Sequence, residues 1–300
     1  MGVVYRALDT KLGRIVALKF LPPNLSTDQK SKRRFMQEAK AASALDHANI
    51  CTIHDIAEDE HGHLFIVMSY YDGQTLKSLL NQHPPTVDEA TSIGLQIASG
   101  LACAHEAGIV HRDIKPANIM VTSRNEVKIL DFGVAKLNES SDLTKAGSTI
   151  GTAAYMSPEQ SKGEDVDVRA DVWSLGIVLY ELLTGRRTVE GGYEAAMIYA
   201  IINEDPPTAR SVNPDVPEGL SAVVARCLAK NPDNRYENAA ALASDLNAFT
   251  SPSGSRTSTF SAPSGAQTST VAASVERLVP SNGKIIARFA PIAVGVIAIT

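Results

Sequence analysis

The stretch Val172–Leu183 carries Trp173, Leu175, Ile177, Val178, Leu179, Leu182 and Leu183, apolar on nearly every side of a helix. A surface helix keeps a polar face, so this one predicts the centre of a large helical lobe. Other helical patterns surround it in sequence, over Asp88–Ala107, Tyr193–Asn203, Glu218–Ala229 and Asn238–Phe249. Residues 1–70 read differently. Val3–Leu8 and Arg14–Phe20 are short aliphatic or β-branched runs around Asp9, Thr10 and Gly13, which predicts a hairpin. Cys51–Ala57 and His63–Ser69 predict another. Between them Phe35, Ala39, Ala42 and Leu45 recur at helical spacing, with Thr27 and Asp28 as candidate caps.

Composition narrows the class. Hydrophobic residues at 44% and charged residues at 20% suffice for a buried core. The charge of -5, from 28 basic and 33 acidic residues, argues against a nucleic-acid-coating protein. Cys51, Cys103 and Cys227 lack paired spacing, which disfavours a disulfide framework or a zinc site and fits a reducing interior. No basic-then-apolar leader opens the sequence. His47, His54, His61 and His63 lie over a hairpin and its approach without a ligand pattern, and are read as packing or solvated residues.

Beyond Thr250 the chain changes character. Eleven of residues 251–270 are Ser or Thr, so 250–284 is read as a linker that buries too little to fold. Residues 285–300 turn apolar after Lys284 and around Arg288. Sixteen residues make about 24 Å of helix against a hydrocarbon core of roughly 30 Å, so the segment is read as the start of a membrane span.

The chemistry concentrates in two loops. His111-Arg112-Asp113-Ile114-Lys115-Pro116-Ala117-Asn118 places a proton acceptor, a phosphate counter-charge and an amide oxygen within six residues. Singly, each is an ordinary hydrogen-bonding or loop residue. Thirteen residues after Asn118, at the end of the apolar run Val127–Leu130, comes Asp131-Phe132-Gly133. A carboxylate there together with the upstream amide suits a hard divalent cation.

These residues resemble the signature of the eukaryotic-type protein kinases, specifically the bacterial serine/threonine kinases. The likeness runs over residues 2–249 and includes Val16-Ala17-Leu18-Lys19, Glu38 nineteen residues on, Gly151-Thr152 through Ser157-Pro158-Glu159, Asp171-Val172-Trp173 and Arg235. The phrase Tyr155-Met156-Ser157-Pro158-Glu159-Gln160 is similar to bacterial members in particular. The resemblance implies an α+β bilobal fold, a small antiparallel β-sheet lobe over 1–68 and a larger α-helical lobe over 69–249. It also implies ATP and Mg²⁺ as cofactors, proteins bearing Ser or Thr as substrates, autophosphorylation and a role in signal transduction.

By the same resemblance Asp113 accepts the substrate's hydroxyl proton and Lys115 faces the transferred phosphate. Asn118 and Asp131 hold Mg²⁺. Lys19 holds the α- and β-phosphates, with Glu38 fixing its rotamer. Gly2 belongs to the phosphate loop; Val4 and Ala17 clamp the adenine, the backbone of Ser69–Tyr71 reads its edge, and Met68 guards the pocket behind. Thr152 contacts Asp113 and Lys115, while Thr144, Ser148 and Thr149 are candidate phosphate acceptors facing Arg112. His111, Arg112, Glu159, Asp171 and Arg235 are structural supports, Glu159 pairing with Arg235. Lys115-Pro116 favours Ser/Thr over Tyr specificity.

Two departures accompany the likeness. The sequence opens at the third glycine of the Gly-rich loop, so a first strand and two glycines are absent, as in a fragment or a misplaced start, with a true short form as the alternative. Ser157 stands where the family has Ala, a small replacement expected to be tolerated. Competing readings are an inactive scaffold of kinase fold and a small-molecule kinase. The expected location is a cytoplasmic domain tethered to the membrane by 285–300, the alternative a wholly cytoplasmic protein.

Overall fold

A computed structural model describes residues 4–21, 29–132, 153–189, 193–250 and 289–291. The smaller lobe starts with a hairpin of β1 (Val4–Asp9) and β2 (Arg14–Phe20), in which Val4 lies opposite Lys19 and Arg6 opposite Ala17. Its turn is built by the Asp9 carboxylate, which accepts the N–H groups of Lys11 and Leu12, and by Gly13 at φ 65°. Strands β3 (Ile53–Glu58) and β4 (Leu64–Ser69) form the second hairpin, and β4 pairs antiparallel with β2. Helix α1 (Gln29–Ser43) packs on β3 through Phe35, Ala39 and Ala42, the apolar residues spaced three to four apart. Its expected caps, Thr27 and Asp28, lie outside the described residues.

The outer edge of β1 is paired with β8 (Phe289–Pro291), Ala7 opposite Pro291 and Asp9 opposite Phe289. Of the tail read as a membrane helix, these three residues are therefore extended; the rest of 285–300, like the linker, lies outside the described residues. Among the described residues no helix is long and apolar enough to cross a membrane.

The larger lobe is helical. Helix α2 (Leu76–Gln82) leads into α3 (Val87–Glu106), which opens with a capping box: Thr86 Oγ1 accepts from Glu89 N–H, and Glu89 accepts from Thr86 N–H. A short sheet of β5 (Gly73–Thr75), β6 (Ile119–Thr122) and β7 (Val127–Ile129) lies between the lobes. Then follow α4 (Pro158–Lys162), α5 (Val168–Thr184), α6 (Glu194–Asn203), α7 (Ala209–Val212), α8 (Glu218–Cys227) and α9 (Ala239–Asn247).

Helix α5 is the centre of this lobe: Val172, Leu175, Val178, Leu179 and Leu182 are all fully buried. Burying each such side chain contributes about 1.5–3 kcal/mol over leaving it in water. Two glycines let neighbouring helices close on it. A Cβ on Gly94 of α3 would meet Leu179, and one on Gly176 of α5 would meet Cys227 of α8, both within 2.5 Å. The result is an antiparallel sheet lobe above a helical lobe, with the β6–β7 hairpin at the boundary.

Candidate active site

The loop His111–Asn118 is held at its base by α5. Asp171 is fully buried, and its carboxylate accepts the backbone N–H groups of His111 (2.7 Å) and Arg112 (2.8 Å). It also meets His105 Nε2 at 3.1 Å; because His105 Nδ1 accepts from Ala239 N–H, the Nε2 atom carries the proton and donates. A buried carboxylate needs this many donors to remain satisfied. The loop runs through a strained conformation. Arg112 has φ 65° and Asp131 φ 59°, two of the three non-glycine residues in the left-handed region among the described residues.

Within the loop the side chains converge on Asp113. Lys115 Nζ lies 2.8 Å from Asp113 Oδ2, and Asn118 Nδ2 donates to both Asp113 O (2.9 Å) and Oδ2 (2.8 Å). His111, fully buried, accepts Asp113 N–H at Nδ1 and donates from Nε2 to Leu130 O at 2.8 Å. Leu130 N–H in turn donates to Asn118 O, so the strand end bearing Asp131 is stitched to the loop bearing Asn118.

From the upper lobe, Lys19 Nζ reaches Asp131 Oδ1 at 2.6 Å. Glu38, the expected partner of Lys19, lies on α1 with its side chain outside the described residues. Val4, Ala17, Met68 and Tyr71 pack into one apolar cluster with Leu130 and Met120. Met120 escaped the sequence reading, although the alternation in β6 gives the signal: Ile119 and Val121 are buried in the lobe, and Met120 must point the other way. At the end of β4 the Ser69 N–H donates to Thr52 O and its Oγ meets His54.

Behind the cluster, Lys19, Cys51, Ile66, Met68, Asp131 and Phe132 line a small pocket. Burial first, and then the Asp131 charge, push the Cys51 thiol up to about 12, so it stays protonated and takes no nucleophilic part. Gly2, Thr144, Ser148, Thr149 and Thr152 lie outside the described residues.

On the far side of the loop, Arg235 forks onto Glu159, Nη1 to Oε1 at 2.7 Å and Nη2 to Oε2 at 2.9 Å, with both side chains nearly fully buried. Burial raises the Glu159 pKa, but the Arg235 hydrogen bonds and charge outweigh it and leave the carboxyl below the usual glutamate range. Ser157, also fully buried, caps α4: its Oγ accepts Gln160 N–H, and the Gln160 side chain accepts Ser157 N–H. The Ser found in place of Ala therefore has a hydrogen-bonding task of its own.

This arrangement can neutralise phosphates from two lysines and take a proton on a fixed carboxylate. The protein kinase domain family matches residues 1–246. The chain belongs to the protein kinase family. This kinase domain is 43% identical over 252 residues to the serine/threonine-protein kinase PknB of Mycolicibacterium smegmatis, covering 82% of this chain and 40% of that one. A probable serine/threonine-protein kinase of Streptomyces coelicolor is 41% identical, covering 83% and 38%. The chain thus spans about two fifths of the length of these curated relatives. Among solved structures, the kinase domain of Mycobacterium tuberculosis PknI superposes with a TM-score of 0.65 at 31% identity, over 83% of this chain and 90% of that one.

The site suits a magnesium nucleotide. With Asn118 Nδ2 committed to Asp113, its Oδ1 is the atom left for a cation, and Asp131 adds a carboxylate, both hard oxygen donors. Among the described residues no group of three or more His, Cys, Asp or Glu gathers as a cage. Magnesium, which favours few protein ligands plus phosphate oxygens, fits the amide oxygen and the carboxylate.

Proposed function

We propose that this kinase domain transfers the γ-phosphoryl group of ATP to serine or threonine hydroxyls of proteins, its own chain included. The observation that carries the reading is the Asp113 carboxylate, held between Lys115 Nζ and Asn118 Nδ2 at 2.8 Å each. Phosphoryl transfer needs charge neutralisation and in-line placement more than covalent help. Asp113 takes the hydroxyl proton as the new oxygen–phosphorus bond forms and the bond to the β-phosphate oxygen breaks, releasing ADP. Lys115 faces the transferred group. Lys19 holds the inner phosphates, and Val4, Ala17, Met68, Tyr71 and Met120 enclose the adenine. Asn118 and Asp131 would hold Mg²⁺, which when bound screens the phosphate charge. Asp171, His111 and the Glu159–Arg235 pair support these groups.

Ser/Thr specificity is supported by Lys115-Pro116 and by the curated relatives, which are named serine/threonine-protein kinases. Phosphorylation of Thr144, Ser148 or Thr149 would add about two negative charges for Arg112 to pair. A signalling role at the membrane, through the apolar segment 285–300, rests on that segment's sequence alone; expression of the chain followed by membrane fractionation tests it.

The decisive experiment is incubation of the purified chain with γ-labelled ATP, magnesium and a generic protein substrate, followed by phosphoamino-acid analysis. Label on Ser or Thr is expected, and absent from Asp113→Asn. Label on Tyr, no label at all, or equal label in the variant would overturn the reading. Nucleotide binding without transfer would favour the scaffold instead.

A further inference from the structure

Gln160 is given no task by the reading above, yet it joins two segments 48 residues apart in sequence. Its Nε2 donates to the backbone carbonyl of Arg112 at 3.0 Å, while its Oε1 accepts the backbone N–H of Ser157 at 3.0 Å. The Arg112 peptide is unusual: φ is 65°, a conformation that a residue with a Cβ holds only when its surroundings demand it. Both polar ends of that residue are occupied, the N–H by Asp171 Oδ1 at 2.8 Å and the carbonyl by Gln160. Asp113 is the next residue along the chain.

The two backbone groups that Gln160 meets have opposite polarity. A carboxylate at this helix position, the commoner choice beside a Ser cap, would accept from Ser157 N–H but set a negative charge against the Arg112 carbonyl. An amide answers both. The far end of the bridge is firm, because α4 is capped by Ser157 and tied down by the bidentate Glu159–Arg235 pair.

We propose that Gln160 is a positioning residue for phosphoryl transfer, its side-chain amide clamping the strained Arg112 peptide, and so the orientation of Asp113, to the start of α4. The start of α4 and the loop holding the proposed proton acceptor then shift only together. This rests on the kinase activity proposed above.

Gln160→Glu separates clamp from cap, since it keeps the acceptor for Ser157 and loses the donor for Arg112. The parent chain's phosphotransfer is measured first, and its absence would refute the proposed function rather than this inference. With an active parent, Gln160→Glu is expected to lower kcat about tenfold, the effect of misaligning a reacting group, with KM for ATP unchanged. Its thermal midpoint should stay close to the parent's, the gain of a carboxylate in a first helical turn offsetting the lost bond to the Arg112 carbonyl. Gln160→Met, which loses both bonds at similar volume, should lose as much kcat and also melt lower.

Independently of turnover, amide hydrogen exchange at Arg112 and Asp113 should quicken in Gln160→Glu while the amides of α4 stay protected. A folded Gln160→Glu or Gln160→Met with parental kcat, or with parental exchange at those amides if the parent proves inactive, would overturn the proposal.

Discussion

Asn118 donates one amide group to Asp113 twice, to its carbonyl oxygen at 2.9 Å and to its carboxylate at 2.8 Å. Under the proposed function, the residue fit to hold a cation through Oδ1 thus also aims the proton acceptor through Nδ2. Asn118→Ala should therefore damage two functions at once: higher magnesium is expected to restore only part of the lost kcat. Asp113→Asn, which keeps the shape, should cost about 10²–10⁴-fold in kcat with nucleotide affinity nearly unchanged. Steady-state phosphotransfer at several magnesium concentrations checks both; full rescue of Asn118→Ala by magnesium would show that it does not orient Asp113.

Lys19 and Asp131 tie the upper lobe to the lower at 2.6 Å. Both side chains keep some exposure to solvent, so the pair adds little to stability, and under the proposed function its weight falls on phosphate binding. Lys19→Met should abolish phosphotransfer and weaken binding of a fluorescent ATP analogue, while the urea midpoint stays close to the parent's. A midpoint that falls with the activity would contradict that division.

The Glu159–Arg235 pair should behave in the opposite way. Removing one partner of a buried, forked ion pair typically costs about 3–5 kcal/mol, because the other charge is left without compensation. Arg235→Met should therefore destabilise strongly in urea unfolding. The folded Glu159 carboxyl titrates below the ordinary glutamate value of about 4.3. Its stabilisation is complete above that value and disappears as pH falls through the lowered folded one. Glu159→Gln should thus be less stable than the parent at pH 7, with the gap narrowing as pH drops below about 4.3. A gap independent of pH would exclude the charge as its source.

Ser157→Ala restores the residue common in the family but removes the oxygen that accepts Gln160 N–H. Loss of such a cap costs about 1 kcal/mol, so a lower thermal midpoint is expected. An unchanged midpoint would show that Ser157 is idle.

Local pattern carried much of the architecture. The short aliphatic or β-branched runs in 14–20 and 64–69 and the helical spacing in 29–43 match elements that stand in the structure, because apolar segments of that length and spacing must be buried whatever their neighbours are. The all-apolar run in α5 likewise could lie only inside. Of the site, the residue types and spacing of Asp113, Lys115, Asn118 and Asp131 were legible. Met120 was missed although the alternation of β6 carries its signal, and Gln160 was not legible, since it reads as an ordinary helix start.

The sequence by itself determined which segments become strands and helices, which of them must be buried, and which chemical groups are available: two lysines, two aspartates and an amide. Tertiary structure alone decided whom those groups meet. Lys19 reaches Asp131, His105 reaches Asp171 and Gln160 reaches Arg112, across separations of 48 to 112 residues. Periodicity says which face an element buries but nothing about which element it is packed against. Such partnerships exist only once the lobes and the central helix have closed around the loops, where an unpaired polar group would be too costly to leave alone.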